Sequence, residues 1–480
     1  MLSHVACAPQ RATIQPDSSQ VQVGLLINWL RFCYLEAFQG VDVKTKLLIA
    51  GIGMGATALL GGIPAAAQVS ASGTMAAQAT MPAAASVAAF YSNHQTQPLW
   101  FRNGVASPAV AQLVSILQRA PFDGFASGPQ LAAEVQAAAA QAASNPTSVN
   151  SAEQTLSSAW VQYVQAIRQP TRGMTYVFPV LQPQGTRADQ ILLTAAAAPS
   201  LEQHLASVSN INMVYAQLRD AAWADAQASG NLTPDARILA NLDRVRSLPA
   251  TGKFIVVDSG TQMLTMFENG RPVDSMKIVV GKTEYPTPMI ASVMYYIVYN
   301  PYWNAPDHLV RKIAQNYLSM GDKYLKSRGY QVMQDWTAAS AVVPSDQVDW
   351  KAVASGKTQI RIRQRPQDDN SMGELKFPFP NNLDIFLHDT PHKEYFAKAN
   401  RNLSNGCVRL EDARRFGRWL LGGASPVAPG TDAEIQVQLP RGVPVYLTYT
   451  TAQVRDGKIA YFGDPYRLDP TSGAAKAISR

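Results

Sequence analysis

Cysteine is scarce in this sequence, with three in 480 residues, and its placement makes it scarcer still. Cys7 and Cys33 lie ahead of a stretch patterned like a removable secretory leader, whose loss would leave Cys407 alone. A chain with one thiol has no internal disulfide, so an apolar core must hold the fold, and a hydrophobic content of 47% is ordinary for that purpose. Histidine is also sparse, at six, and neither HExxH nor CxxC occurs, which removes the common zinc patterns. Gly281-Lys282 lacks the GxxxxGK[ST] spacing of a phosphate loop. The net charge of +7 favours anionic partners, but no RNP, zinc-finger or helix-turn-helix pattern accompanies it, so nucleic acid is not an expected partner. There is no internal repeat.

What is present begins at Val43 to Gln68, with Lys44 and Lys46, an apolar Gly-rich middle and Ala65-Ala66-Ala67. This reads as a signal peptide over 43–67 that is cleaved after Ala67, which makes residues 1–42 a misassigned upstream extension. The competing reading is an uncleaved anchor, for which Leu47 to Ile63 is short. A solitary thiol sent to an oxidising compartment risks unwanted pairing, and its presence is easier to understand if it does chemistry.

Residues 68–87 read as a flexible linker of Ala, Ser and Met. From Ala88 to about Leu248 the period is helical. Ser107 and Pro108 open a run with Val110, Leu113, Val114 and Leu117 on one face, and Leu156, Trp160, Tyr163 and Ile167 form another stripe. Ile211, Val214 and Leu218 follow, then a last run opened by Thr233-Pro234. Nothing in this domain has catalytic spacing. At Lys253 the period changes to short β runs, with Asn269-Gly270 as a hairpin turn. The strands extend to about residue 450, interrupted near 301–375 by helix-like and charged stretches, and 451–480 is expected to form one hairpin and a mobile tail. The fold class is therefore α+β multidomain, a helical N-terminal domain before a mostly β domain with an inserted helical or irregular cap.

The chemistry gathers at Ile385 to Leu421. Ile385-Phe386-Leu387 reads as a buried strand ending in His388, and Ser404-Asn405-Gly406 as a turn presenting Cys407 just before a helix. Thiols become nucleophiles when a base or positive field favours the thiolate. Gly406 leaves the backbone bare for amide donors to a substrate oxyanion, and Arg409 can pair with a carboxylate or lower the thiol pKa. The rival reading takes His388, His392 and Cys407 as metal ligands. Pro391 opposes the helix that would set both histidines on one face, so neither metal nor cofactor is expected.

His388-Asp389-Thr390-Pro391 and Ser404-Asn405-Gly406-Cys407-Val408-Arg409 resemble the signature of the L,D-transpeptidases with a YkuD-type catalytic domain, in the larger Gram-negative branch. Tyr91 with Pro98-Leu99-Trp100 resembles the opening of that branch's helical scaffold. Gly281-Lys282, Thr287-Pro288 and the Asn300 to Pro306 segment resemble landmarks of the catalytic fold, the last preceding a capping insertion. The resemblance implies a periplasmic enzyme that cross-links peptidoglycan. In it Cys407 would be the acylated nucleophile, His388 its base, the Asp389 carbonyl the orienter of the imidazole, and Gly406 with Cys407 part of the oxyanion hole. Substrate contacts would come from Arg409, Ser404, Asn405, Trp303 and Tyr302. Partners would be donor and acceptor stem peptides and, as covalent inhibitors, carbapenems; no stable partner protein is expected. Many members have His where this chain has Asn405. An L,D-carboxypeptidase, or a wall-binding scaffold with an incidental thiol, remain the alternatives.

Overall fold

The structure, a computed structural model, describes residues 83–93, 98–337 and 340–470. The expected leader, its upstream extension and most of the linker lie outside these residues. Helix α1 (Ala83–Asn93) begins inside the expected linker, because its alanine-rich start favours helix over coil. A two-residue hairpin follows, β1 (Phe101–Arg102) with β2 (Val105–Ala106), turned by Asn103 and Gly104 at positive φ. Helices α2 (Pro108–Arg119), α3 (Gly128–Ser144), α4 (Val149–Ile167), α5 (Ala188–Ala196) and α6 (Leu201–Asn210) complete a bundle. Its core contains Leu113, Leu117, Leu156, Trp160 and Tyr163, all at 0% exposure, so the apolar stripes of the sequence are the bundle's interior. Buried Glu153 accepts hydrogen bonds from Tyr91 Oη at 2.8 Å and Trp100 N at 3.1 Å, which ties α1 and the segment after it to α4.

Helices α7 (Met213–Ser229) and α8 (Ala236–Val245) belong elsewhere. Their buried residues Tyr215, Leu218, Ile238, Leu242 and Val245 join Phe254, Val256, Phe267 and Tyr446 in a core shared with the β domain. A division at 248 is thus a change of secondary structure and not a break in packing. The α8 cap is Asp235, whose side chain accepts from Arg237 N, and not Thr233.

The β domain is built from β3 (Thr175–Tyr176), β4 (Phe254–Asp258), β5 (Met263–Glu268), β6 (Arg271–Gly281) and β7 (Ile290–Tyr299). In the cap come β8 (Trp303–Asn304), β9 (Tyr330–Met333), β10 (Val342–Val343) and β11 (Arg361–Gln364). Then follow β12 (Leu375–Phe377), β13 (Leu387–His388), β14 (Asn402–Ser404), β15 (Val408–Leu410) and β16 (Ile435–Thr448). The main sheet runs β12-β13-β15-β6-β5-β4-β16-β7, and β12 also pairs with β7, so the circuit of strands closes on itself. Strand β3, from within the helical region, adds in parallel to the other end of β7. β4 is buried on both faces: Ile255 and Val257 enter the barrel core while Phe254 and Val256 meet α7 and α8, which explains its unbroken apolar sequence. The expected Asn269-Gly270 turn is present with both residues at positive φ. Two strands expected near Ile435 and Val445 are one strand with a register shift between Gln438 and Val443.

The cap is more regular than its charge pattern suggests. Besides helices α9 (Asp307–Met320), α10 (Asp322–Ser327) and α11 (Trp350–Ala354), it holds a four-stranded antiparallel sheet, β10-β9-β11-β8, around its own core of Val332, Ile362, Trp350 and Val310. The short strands escaped notice because each offers only two to four residues of alternation.

A final hairpin, β17 (Ala452–Arg455) with β18 (Lys458–Tyr461), is as expected, but the described residues after it, as far as residue 470, are held in place. Asp469 bridges Arg244 at 2.7 Å and Arg237 at 2.9 Å, both on α8, and Tyr449 Oη donates to Asp464 at 2.6 Å. Among the described residues no helix is long and apolar enough to cross a membrane.

Candidate active site

Helix α12 (Ala413–Leu420) follows β15, and its Phe416, at 0% exposure, stacks edge-on against Phe377 of β12 with ring centres 4.8 Å apart. This fixes the strands that carry the site. β13 runs parallel to β15 with His388 opposite Arg409, and antiparallel to β12 with Lys376 opposite His388. Leu387, Val408 and Phe377, one residue along, fill the barrel core, so the row Lys376, His388, Arg409 stands on the other face. Cys407 lies two residues before Arg409, beside the strand end that precedes His388: Val408 N donates to Phe386 O at 3.1 Å. Thiol and imidazole are thus carried on adjoining chains of one face. A three-residue strand separates Cys407 from the helix that was expected to follow it directly.

The imidazole of His388 is 5% exposed, and its pKa is pushed down to about 3 by burial first and by the Arg409 guanidinium second; the Asp389 and Met372 backbones oppose this less strongly. Its Nδ1 has no partner within hydrogen-bonding geometry, while the Asp389 backbone lies near enough to favour the protonated ring. Burial also pushes the Cys407 thiol up to about 11, against the Phe386 backbone, Lys376 and Arg409, which favour the thiolate. At neutral pH both groups are uncharged. The thiol donates to Asp384 O at 3.5 Å, and among the described residues no hydrogen bond joins it to His388.

Gly406 sits at φ 116°, and a Cβ there would lie 3.1 Å from Ile385 Cδ1, so the turn before Cys407 needs glycine. Ser404 is committed to that turn: Oγ accepts from Gly406 N at 3.2 Å and donates to Cys407 O at 2.6 Å. Asn405 Oδ1 and Arg409 Nε are buried without partners, and the Arg409 guanidinium lies 5.5 Å from the Tyr395 ring centre. Asp389 has its carboxylate occupied by Lys393 at 2.7 Å and Glu374 N at 3.1 Å. Tyr302 and Trp303 begin the cap. Tyr302 lies under Arg363 at 4.2 Å, and Trp303 packs toward Tyr330 in the cap's own core. Among the described residues neither touches Cys407 or His388 by hydrogen bond or ring contact. His392 is exposed and pairs with Glu394 at 3.1 Å, and no group of three described His, Cys, Asp or Glu residues could hold a metal ion.

Sequence reasoning missed Lys376, Asp384 and Tyr466. Lys376 was legible only through strand pairing, and Asp384 only through its positive φ of 52° in the turn before β13. A cleft of about 700 Å³ opens beside Asp389 and Thr390, lined also by Glu374, Arg414 and Tyr299. A second cavity of about 570 Å³ lies between α7 and the sheet, away from the thiol, and none of the site residues lines it.

Comparison with known proteins agrees with this architecture. Residues 252–437 match the family model of the L,D-transpeptidase catalytic domain, YkuD, and residues 85–221 match that of the Scaffold domain. The chain thus carries a YkuD-type L,D-transpeptidase catalytic domain preceded by a scaffold domain. A protein of Haemophilus influenzae named "Putative L,D-transpeptidase" is 26% identical over 320 residues, covering 65% of this chain and 64% of that protein. The alignment thus spans just under two thirds of that relative's length. Among solved structures, an L,D-transpeptidase from Mycobacterium smegmatis overlaps 42% of this chain and 60% of its own at 12% identity and a TM-score of 0.21. The Ldtfm-avibactam carbamoyl enzyme overlaps 41% and 48% at 12% identity and a TM-score of 0.17. Likeness at that level fixes no residue's role.

Proposed function

We propose that this chain is a periplasmic peptidoglycan L,D-transpeptidase in which Cys407 carries the acyl group and His388 moves the protons. The observation that carries this reading is the one thiol among the described residues and a buried imidazole on adjoining chains of one face, flanked by Lys376 and Arg409. Three buried polar atoms without partners, His388 Nδ1, Asn405 Oδ1 and Arg409 Nε, support a site that a polar ligand completes, since such atoms are rare in finished interiors.

The reaction starts from the uncharged pair. Cys407 Sγ attacks the carbonyl carbon between the third stem residue, diaminopimelate, and the terminal D-Ala, while the thiol proton passes to His388. The two cations and the backbone N–H of Cys407 steady the negative charge on the carbonyl oxygen. His388 returns the proton to the D-Ala amine, the C–N bond breaks, and a thioester remains. An amine of a neighbouring stem then attacks the thioester, loses its proton to His388, and the sulfur leaves as thiol once His388 reprotonates it. Asn405 and Arg409 offer an acceptor and a cation to the stem. The cap arginines Arg361 and Arg363, on one face of β11, and Arg365, just past its end, attract the stem's carboxylates.

The test is intact mass after exposure to a carbapenem, paired with incubation on tetrapeptide muropeptides. The expected result is one adduct lost in Cys407→Ala, together with D-Ala release and dimers. Tripeptide monomers without dimers would make the protein an L,D-carboxypeptidase, and neither adduct nor product would leave a wall-binding scaffold.

A further inference from the structure

Behind the Cys407 turn a line of hydrogen bonds leads out of the β domain to the last described residues. Thr287, 3% exposed, donates from Oγ1 to Gly406 O at 2.7 Å and accepts there from Gly281 N at 2.9 Å. The single hydroxyl hydrogen is therefore committed to the Gly406 carbonyl. Tyr466 Oη closes the loop that holds Thr287: it donates to Gly281 O at 2.6 Å and accepts from Thr287 N at 3.3 Å. Gly281 is packed so closely that a Cβ would lie 2.1 Å from Tyr285 O. Tyr466 is held in turn. Its ring stacks on Tyr449 at 5.1 Å, its backbone N donates to Tyr449 Oη at 3.2 Å, and Asp469, three residues on, is bound by Arg237 and Arg244 of α8.

The consequence falls on one peptide plane. The Gly406–Cys407 bond is trans, so its C=O and N–H point in opposite directions. A carbonyl held inward by Thr287 aims the Cys407 N–H the other way, and among the described residues that N–H donates to no protein group. We propose that Tyr466 is a positioning residue for Cys407, acting through Gly281 and Thr287 to aim the Cys407 N–H at the oxyanion that forms during acylation. The proposal rests on Cys407 being the nucleophile. It gives the segment after the final hairpin a part in the chemistry and makes α8 its anchor. Burial raises the Tyr466 pKa, which keeps the phenol a donor across the working pH range.

The test compares two reactions of the same thiol in the full chain. Acylation by a carbapenem passes through an oxyanion, whereas alkylation by iodoacetamide does not. In Tyr466→Phe the first-order acylation constant should fall about tenfold, less than the 10²–10³ for outright loss of an oxyanion donor, because the N–H is misaimed and not removed. The carbapenem concentration for half-maximal rate, the alkylation rate and the melting temperature should stay near wild type. Thr287→Val should lose about 10²-fold in acylation with alkylation retained, and Thr287→Ser should restore most of that loss. Tyr461→Phe, in the neighbouring hairpin, should change nothing.

Tyr466→Phe acylating within twofold of wild type overturns the proposal. So does a parallel fall in acylation and alkylation, which marks a merely structural role. If Tyr466→Phe fails to fold, the Thr287 pair decides: equal acylation in Val and Ser variants overturns it. A wild-type protein that forms no adduct defeats the reading of Cys407 itself, a different result from any of these.

Discussion

Replacing His388 by glutamine turns the burial of this imidazole into a measurable loss of acid sensitivity. The folded pKa is about 3, against an ordinary value of 6.5 that the unfolded chain should show. A depressed pKa means that the unfolded chain takes the proton first, so stability is full above about pH 6.5 and is lost as pH falls toward 3. At pH 4 the unfolded imidazole lies about 2.5 pH units below its pKa while the folded one remains mostly neutral. At about 1.36 kcal/mol per unit, the wild type should lose about 3 kcal/mol through this group between pH 7 and pH 4. Glutamine does not titrate. The assay is urea unfolding followed by tryptophan fluorescence at both pH values, in wild type and His388→Gln. All other acid-sensitive groups cancel in the difference of differences. An acid loss equal in the two proteins to within about 1 kcal/mol would mean that the folded imidazole accepts a proton freely, and a neutral resting base would have to be abandoned.

Two further outcomes follow from the same accounting of buried charge. With its pKa pushed to about 11, the Cys407 thiol should be alkylated by iodoacetamide at a rate that rises tenfold per pH unit from neutrality, with roughly 10⁻⁴ of the plateau rate at pH 7; a midpoint below pH 9 contradicts burial as the dominant influence. In the bundle, Asp123 accepts from Tyr163 at 2.9 Å and Tyr215 at 3.0 Å and faces Arg219 at 3.5 Å, with both charged side chains at 0% exposure. Asp123→Asn leaves that guanidinium with half-exposed Asp220, at 2.8 Å, as its remaining carboxylate and weakens the two buried phenol bonds, which should cost about 1–3 kcal/mol in urea unfolding, so a loss under about 0.5 kcal/mol refutes the assignment.

The legible parts of this protein are those whose cause is local. Helical stripes such as Leu156, Trp160 and Tyr163 repeat along one element, and Asn269-Gly270 dictates its own turn, so both were readable without tertiary knowledge. The pairing of Cys407 with His388 as a candidate site was legible because the residues around them form a compact pattern. Lys376 was not, since it reaches the site only by pairing across β12 and β13. The sheet of the cap was missed because strands of two residues carry no period. Within the expected tail, composition misled as far as residue 470: Asp464, Tyr466 and Asp469 look like surface polar residues until their partners on α8 and β16, far away in sequence, are known, and residues 471–480 lie outside the described residues.

The distant partners also bind the helices to the β domain. Severed at residue 248, the β domain would expose Phe254, Val256, Phe267 and Tyr446, now covered by Tyr215, Leu218 and Leu242, and would leave the edge of β7 at Ile290 without β3. It would also free Asp469 from Arg237 and Arg244, and with it the segment that holds Tyr466. The helical region is therefore joined to the β domain by packing, by strand addition and by ion pairs. All three bear on faces and edges of the barrel, through residues more than a hundred positions before His388 in the chain, so removing the helical region should loosen the strands that carry Cys407 and His388, which hydrogen exchange of β13 and β15 in the shortened protein would measure.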